Sequence, residues 1–302
     1  MASEGKVPWP GLLLAMGGAI AFSGKAIIVK LAYRHGVDAV TLIMLRMAFA
    51  LPVFVAMAWW ASRGKAPLSG RDWAGVVALG FTGYYLSSML DFIGLQYISA
   101  SLERLILYLN PTLVLLLGWL LFGKRISWLH AAGMAVSYSG VVLVFGHEVS
   151  VQGAHTGWGT LMVLLSTISY AVYMVYSAEL VQRLGSLRLV GLASAVACLF
   201  CIAQFLLLRP VGSLAAVAPQ VFWLSVLNAT VCTVAPVLMV MMAIERIGAG
   251  LASQSGMVGP FATILMGVWL LDEPFTAWVA AGSVLVIAGI YVVTRANRKP
   301  GA

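Results

Sequence analysis

The chain has 302 residues, of which 62% are apolar and 9% are charged, and its formal net charge is +8 at pH 7. Soluble domains carry about 25% charged residues, so this composition excludes a water-soluble globular protein. The positive charge does not indicate a nucleic-acid partner, because the basic residues are scattered in small groups at the ends of apolar runs.

The apolar residues fall into about ten runs, each of roughly 18 to 25 residues. A helix of that length crosses the ~30 Å hydrocarbon core of a bilayer, whereas the strands of a membrane barrel would be shorter and would alternate in polarity. The sequence therefore predicts an all-α integral membrane protein with ten transmembrane helices. Their centres are predicted near Ala19, Ala50, Leu86, Leu113, Val136, Tyr170, Leu199, Val231, Ala262 and Val286.

Lysine and arginine residues indicate how these helices are oriented. With the N-terminus in the cytoplasm, twelve of them fall on the cytoplasmic side and about three on the opposite side. Because positively charged loops stay in the cytoplasm, both termini are predicted to be cytoplasmic. The first apolar run continues past Gly24, which indicates a first transmembrane helix rather than a cleaved signal peptide. The cytoplasmic group is Lys6, Arg63, Lys65, Arg71, Lys124, Arg125, Arg183, Arg188, Arg246, Arg295, Arg298 and Lys299.

A fixed offset of 149 residues superposes the two halves of the chain, residues 1–150 and 151–302. Each half is predicted to hold five helices, and an odd number makes the second half enter the membrane from the opposite side. The charges agree, because the Gly-Lys-Arg after the fourth span of the first half corresponds to Asp-Glu-Pro in the second. The sequence therefore predicts two inverted repeats around a central cavity. The matched pairs are Pro111 with Pro260, Gly118 with Gly267, Gly133 with Gly282, and Gly140 with Gly289.

Two segments carry a family resemblance: SASLERLILYLNPTLVLLLGWLLFGKRIS and GAGLASQSGMVGPFATILMGVWLLDEPFT. They resemble the two EamA-type repeats of the drug/metabolite transporter superfamily. The resemblance implies a ten-helix exporter of small metabolites in the bacterial inner membrane. Among the subgroups, the chain looks most similar to the YddG-type exporters of aromatic and other neutral amino acids. Lys124 and Arg125 depart from the pattern, because the family often has an acidic residue at that point of the first half.

Charged residues inside the predicted spans are the first candidates for function. Lys25 and Arg46 lie deep in the first and second helices, and a buried cation needs a carboxylate from the protein or from a substrate. Asp91 is a candidate for proton coupling or for an ion pair with Arg46 or Arg104. We predict that Lys25, Arg46 and Asp91 line the substrate cavity, with a structural ion pair as the alternative for Arg46.

Aromatic and polar side chains share faces of several predicted helices. Helical spacing places Phe81, Tyr84, Ser88 and Asp91 on one face of the third helix. A tyrosine offers a flat apolar ring and a hydroxyl, which suits an amphipathic ligand, although small polar residues also serve helix packing. The predicted uncharged cavity residues are Tyr84, Ser88, Tyr108, Tyr170, Tyr173, Ser253 and Gln254.

The fourth helix carries charges near its external end and a proline two turns deeper. The charges form either a solvated or paired helix end, or a gate over the cavity. The proline removes one backbone hydrogen bond and predicts a kink, which the second half repeats. The gate and hinge candidates are Glu103, Arg104, Asn110, Pro111, Gly259 and Pro260.

Together these features predict a secondary carrier that exports small amphipathic metabolites by alternating access. A translocase for lipids or other hydrophobic metabolites is the nearest alternative. A membrane enzyme or a channel is less favoured, because the four histidines lie at helix ends or in loops and no filter loop is present. Cys198 and Cys201 have no further ligands nearby in sequence and are interpreted as packing residues. We predict no catalytic residue, metal, cofactor, nucleic acid or obligate protein partner.

Overall fold

The computed structural model describes residues 9–123, 126–153, 155–240, 242–243, 246–247 and 258–296. Within these ranges the secondary structure is helical and contains no strand. Nine of the described helices are long and apolar enough to cross a membrane, and Gly259–Leu271 is a shorter apolar helix. The described helices are α1 Trp9–Tyr33, α2 Ala39–Ser62, α3 Gly70–Gly94, α4 Ala100–Phe122, α5 Trp128–Gln152, α6 His155–Leu184, α7 Ser186–Leu208, α8 Pro219–Val240, α9 Gly259–Leu271 and α10 Ala277–Ala296.

The all-helical membrane fold agrees with the sequence prediction. Large apolar side chains cover the outer faces of the helices: Leu120 is 70% exposed, Leu207 84% and Trp269 81%. A surface of this kind would aggregate in water and is stable only against lipid. The count of ten spans stays a prediction, because residues 248–257 lie outside the described ranges.

Side chains cap the helices where the chain turns back into the membrane. Asp38 accepts hydrogen bonds from the backbone N–H groups of Val40 and Thr41 at 3.0 and 3.2 Å, and Ser99 accepts one from Leu102 at 3.0 Å. These bonds satisfy N–H groups that have no partner within the helix. Partial burial acts to raise the pKa of Asp38, but the hydrogen bonds from Thr41 and Val40 and the charge of Arg209 together hold that pKa below the usual value.

Helices α3 and α8 each contain a wide turn of π-helical form, at Gly80–Leu86 and at Thr230–Val234. In the second of these, the backbone N–H of Ala235 donates to the carbonyl of Thr230, five residues earlier instead of four. The 149-residue offset places the two turns on corresponding parts of the two halves. Each half therefore carries one extra residue at the same point of its third helix.

The wide turn in α3 changes which side chains share a face. Phe81 is 39% exposed and does not line the central cavity, whereas Tyr84, Ser88 and Asp91 do. The prediction that all four share one face is wrong for Phe81, because it assumed a regular helical period through the turn.

Helix α4 is interrupted rather than kinked near its proline. Its first segment ends at Leu107, and its second segment, Asn110–Phe122, has Pro111 in the first turn. Proline lacks the N–H that a helix interior needs but fits the first turn, so the chain starts a new helix there. Gly259 and Pro260 begin α9 in the same way. The predicted kink at Pro111 is thus corrected to a break between two helical segments.

Helices of the first half pack against the helices that correspond to them, or to their neighbours, under the 149-residue offset. Helix α2 packs along α7, and α5 packs along α10. Helix α1 contacts α8 and α9, while its counterpart α6 contacts α3 and α4. These contacts of the first half therefore have matching contacts in the second.

Glycines allow α5 and α10 to approach closely. Gly133 faces the backbone carbonyl of Gly289, and Gly140 faces that of Gly282. A methyl group on Gly140 would lie 2.6 Å from the Gly282 oxygen, well inside van der Waals contact. Small residues of this kind let two helix backbones pack directly against each other within a membrane.

We expect Gly140→Ala to destabilise the protein by about 1–3 kcal/mol, because the added methyl forces the two backbones apart. The measurement is the midpoint of thermal unfolding in detergent. Gly146→Ala in the same helix is the control, since a Cβ there meets nothing within 4 Å. Equal midpoints for the two variants would contradict this packing of α5 against α10.

Candidate functional site

A cavity of about 320 Å³ lies between the middles of the helices. Its wall is formed by α1, α2, α3, α4, α6, α7 and α8, so both halves of the chain contribute. The predicted residues that line it are Lys25, Arg46, Tyr84, Ser88, Asp91, Arg104, Tyr108, Asn110 and Tyr170.

One lysine holds two carboxylates at the edge of this cavity. The Lys25 Nζ lies 2.5 Å from Asp91 Oδ2 and 3.5 Å from Glu103 Oε1. All three side chains are buried, and Glu103 is 0% exposed. Glu103 is therefore a paired group inside the protein rather than a solvated helix end. The ion pair of Asp91 with Arg46 or Arg104, one of the two alternatives for Asp91, does not form, because the cation beside Asp91 comes from α1.

Two guanidinium groups in the same wall have no ion-pair partner among the residues that the structure describes. The Nε of Arg46 donates to Thr233 Oγ1 at 3.1 Å, and the Nη2 of Arg104 donates to Ser23 Oγ at 3.0 Å. Among the described residues no carboxylate oxygen comes within 4.0 Å of either group. The structural ion pair considered for Arg46 is therefore absent from the described part of the chain.

Aromatic rings form the wall on the side of α3 and α6. The hydroxyl groups of Tyr84 and Tyr173 are 3.1 Å apart, and the rings of Tyr170 and Tyr173 stack at 5.4 Å. Tyr84 and Tyr170 line the cavity, whereas Tyr173 supports them from behind. The result is a rigid apolar surface with hydroxyl groups on it.

The remaining candidates lie around the cavity or cannot be placed. The Gly259 carbonyl accepts a hydrogen bond from Ser23 Oγ at 2.8 Å, which links α1 to the start of α9. Pro111 and Pro260 shape the starts of helical segments. Ser253 and Gln254 lie outside the described residues.

Sequence reasoning missed several cavity residues. Ser194 on α7 and Thr233 on α8 line the wall, as do the apolar side chains of Phe22 and Phe54. Single polar residues within apolar runs were the available signal for Ser194 and Thr233. The apolar residues gave no signal, because nothing in the sequence distinguishes them from lipid-facing ones.

Carboxylates bind the start of α4 at the end of the molecule that holds the 34–38, 95–99 and 272–276 connections, and we call these contacts the carboxylate closure. Glu273 accepts from the N–H groups of Ala100 and Ser101 at 2.7 and 3.3 Å and from Ser101 Oγ at 2.9 Å. Glu148 accepts from the backbone N–H of Ser99 at 3.2 Å and from its hydroxyl. Two carboxylates thus bind the N-terminus of α4, where the helix dipole favours negative charge.

Two cations from α1 and the chain beyond it complete this closure. Lys30 Nζ donates to the carbonyl of Ile98 at 2.6 Å, and Arg34 Nη2 donates to that of Leu271 at 2.8 Å. They join the end of α1 to both halves of the protein. This end is the one predicted to face the outside.

The fold and the cavity define a class: a multi-pass membrane protein with a cavity between its helices that is lined by aromatic, polar and charged side chains. Comparison with known proteins identifies the family. The model of the EamA-like transporter family matches residues 9–146 and 157–295. The chain belongs to the EamA-like transporter family.

Several relatives extend over most of the chain. The uncharacterized transporter YcbK of Bacillus subtilis (strain 168) is 29% identical over 276 residues, which cover 87% of this chain and 86% of that protein. An uncharacterized transporter of Archaeoglobus fulgidus is 24% identical over 284 residues, which cover 94% of this chain and 96% of that protein. A solved structure entitled "Crystal structure of protein" superposes with a TM-score of 0.63 at 19% identity, covering 96% of this chain and 99% of that one. The last similarity shows the fold alone.

Proposed function

We propose that this transporter is a secondary carrier that exports small amphipathic metabolites, with aromatic and other neutral amino acids as the first candidates. The cavity carries this proposal, because about 320 Å³ lined by tyrosine rings, hydroxyls and three cations suits a small molecule with an apolar and a charged part. The YddG-type resemblance of the sequence supports the same substrate class.

The mechanism that we propose is alternating access between two inverted five-helix halves. The matching helix contacts and the wide turns at corresponding positions support it, because related halves can exchange conformations around a fixed central site. The carboxylate closure would be one gate of this cycle. We place the protein in the bacterial inner membrane with both termini in the cytoplasm, following the distribution of basic residues.

Flux through the purified protein in liposomes tests the proposal. Radiolabelled Phe, Trp, Met and Thr are compared with and without an imposed pH gradient. We expect saturable uptake that excess unlabelled substrate blocks. Absence of flux for every amino acid would overturn the amino-acid assignment, and movement of a fluorescent phospholipid between leaflets in the same vesicles would favour the lipid alternative.

A cavity-filling variant tests whether the substrate passes through the central cavity. Ser88→Trp places a large ring in the cavity and is expected to abolish flux. Val284→Trp is the control, because Val284 lies on the outer face of α10 and is 65% exposed. Equal flux in the two variants would show that substrate does not pass through this cavity.

A further inference from the structure

Arg46 is a buried cation with unused binding capacity. It is 5% exposed, its guanidinium lies over the ring of Phe92 at 5.3 Å, and its Nε is bound to Thr233. Its Nη1 is buried and has no hydrogen-bond partner among the described residues. A guanidinium nitrogen in this condition costs free energy unless a ligand completes its hydrogen bonds.

The described cavity residues also carry more positive than negative charge. Lys25 engages both carboxylates of the site, Asp91 and Glu103. Among the described residues, no carboxylate oxygen lies within 4.0 Å of Arg46 or Arg104, and the three cations Lys25, Arg46 and Arg104 face the two anions Asp91 and Glu103. An anionic group in the cavity would restore the balance.

The Nε of Arg104 is likewise buried with no hydrogen-bond partner among the described residues, so Arg104 differs from Arg46 in the elements that its contacts join. Its Nη2 donates to Ser23 Oγ, and the same hydroxyl donates to the carbonyl of Gly259. Arg104 also lies over the rings of Phe22 and Tyr108, at 5.3 and 5.4 Å. These contacts tie α1, α4 and α9 together, which makes Arg104 a positioning residue.

We propose that Arg46 is the anchor for the carboxylate of the transported molecule, an assignment that rests on the proposed function. The planar guanidinium presents paired N–H donors that match a carboxylate in geometry and charge. Met47 and Phe54 on the same helix, with Tyr84 and Tyr170 opposite, receive the apolar part of the substrate. The substrate class is thus a small monocarboxylate with an apolar side chain.

The test compares acids with their amides. L-Phenylalanine and L-methionine, and the carboxamide of each, are added to detergent-solubilised protein while the unfolding midpoint is measured, and their flux is measured in liposomes. We expect the acids to raise the midpoint and to be transported, and the amides to do neither. In Arg46→Gln we expect acid binding to weaken about 10- to 100-fold, the loss of one charged hydrogen-bonded contact.

Two further variants separate loss of the carboxylate contact from loss of folding. Arg46→Lys keeps the charge and should retain part of the acid binding, even if Arg46→Gln does not fold. Arg183→Gln removes a half-exposed arginine that pairs with Asp72 far from the cavity, and it should bind acids like the wild type.

The outcomes separate the two proposals. Equal transport of acids and amides by the wild type, or wild-type acid binding by Arg46→Gln, would overturn the anchor and leave the carrier intact. Transport of neither acids nor amides by the wild type would overturn the amino-acid assignment of the proposed function and the anchor with it.

Discussion

Replacing Lys25 with methionine is expected to destabilise the protein more than any other single substitution considered. Lys25 is the cation that both Asp91 and Glu103 contact, and all three side chains are buried. Removing one partner of a buried ion pair leaves uncompensated charge and costs about 3–5 kcal/mol. The measurement is the unfolding midpoint in detergent, which should fall sharply for Lys25→Met.

A compensating substitution distinguishes lost charge balance from lost packing. Lys25→Met combined with Asp91→Asn removes one of the two orphaned carboxylates and should recover part of the stability. Lys65→Met changes an exposed lysine in the loop between α2 and α3 and should stay within about 0.5 kcal/mol of the wild type. A wild-type midpoint for Lys25→Met would mean that the ammonium does not stabilise the folded state.

Glu273→Gln is expected to open the end of the protein that we predict to be external. The Glu273 carboxylate accepts three hydrogen bonds from the start of α4 and holds the 272–276 connection against it. Hydrogen bonds to a charged group contribute about 1.5–3 kcal/mol, so the equilibrium should move toward the open form by about tenfold or more. This change should affect conformation more than overall stability.

Cysteine labelling can measure that shift. A Ser88→Cys variant places a thiol in the cavity, and an impermeant reagent is added from the predicted external side of right-side-out vesicles. The labelling rate should rise when Glu273→Gln is added. Asp272→Asn is the matched control, because asparagine tolerates the left-handed backbone at φ 59° and leaves Glu273 in place. Equal labelling rates of Ser88→Cys with and without Glu273→Gln would show that Glu273 does not keep this end of the protein closed.

The sequence was most informative about what the membrane requires. Hydropathy predicted the helical architecture, because each span must be apolar and internally hydrogen-bonded. The same reasoning singled out Lys25, Arg46 and Asp91, since a charge in an apolar run must face inward. All three line the cavity.

Pairing between helices was beyond the reach of one sequence. The partner of Asp91 is 66 residues away on α1, and a position in a helix does not reveal which helix lies beside it. The sequence indicates only the sign of the charge at Glu273, yet Glu273 binds the start of α4 more than 170 residues away. Glu148 is a lone carboxylate in an apolar run, which is a usable sequence signal for an inward-facing group.

The wide turns of α3 and α8 bear on how this protein arose. An extra residue in a helix disturbs its hydrogen bonding, and the two halves carry one at matching positions. A single acquisition before duplication accounts for both turns, whereas separate events would require the same rare irregularity twice. On the proposed inverted duplication, the ancestor would be a five-helix chain that already possessed this turn. Since residues from both turns line one cavity, such a chain would enclose a substrate only by associating with a second, oppositely inserted copy of itself.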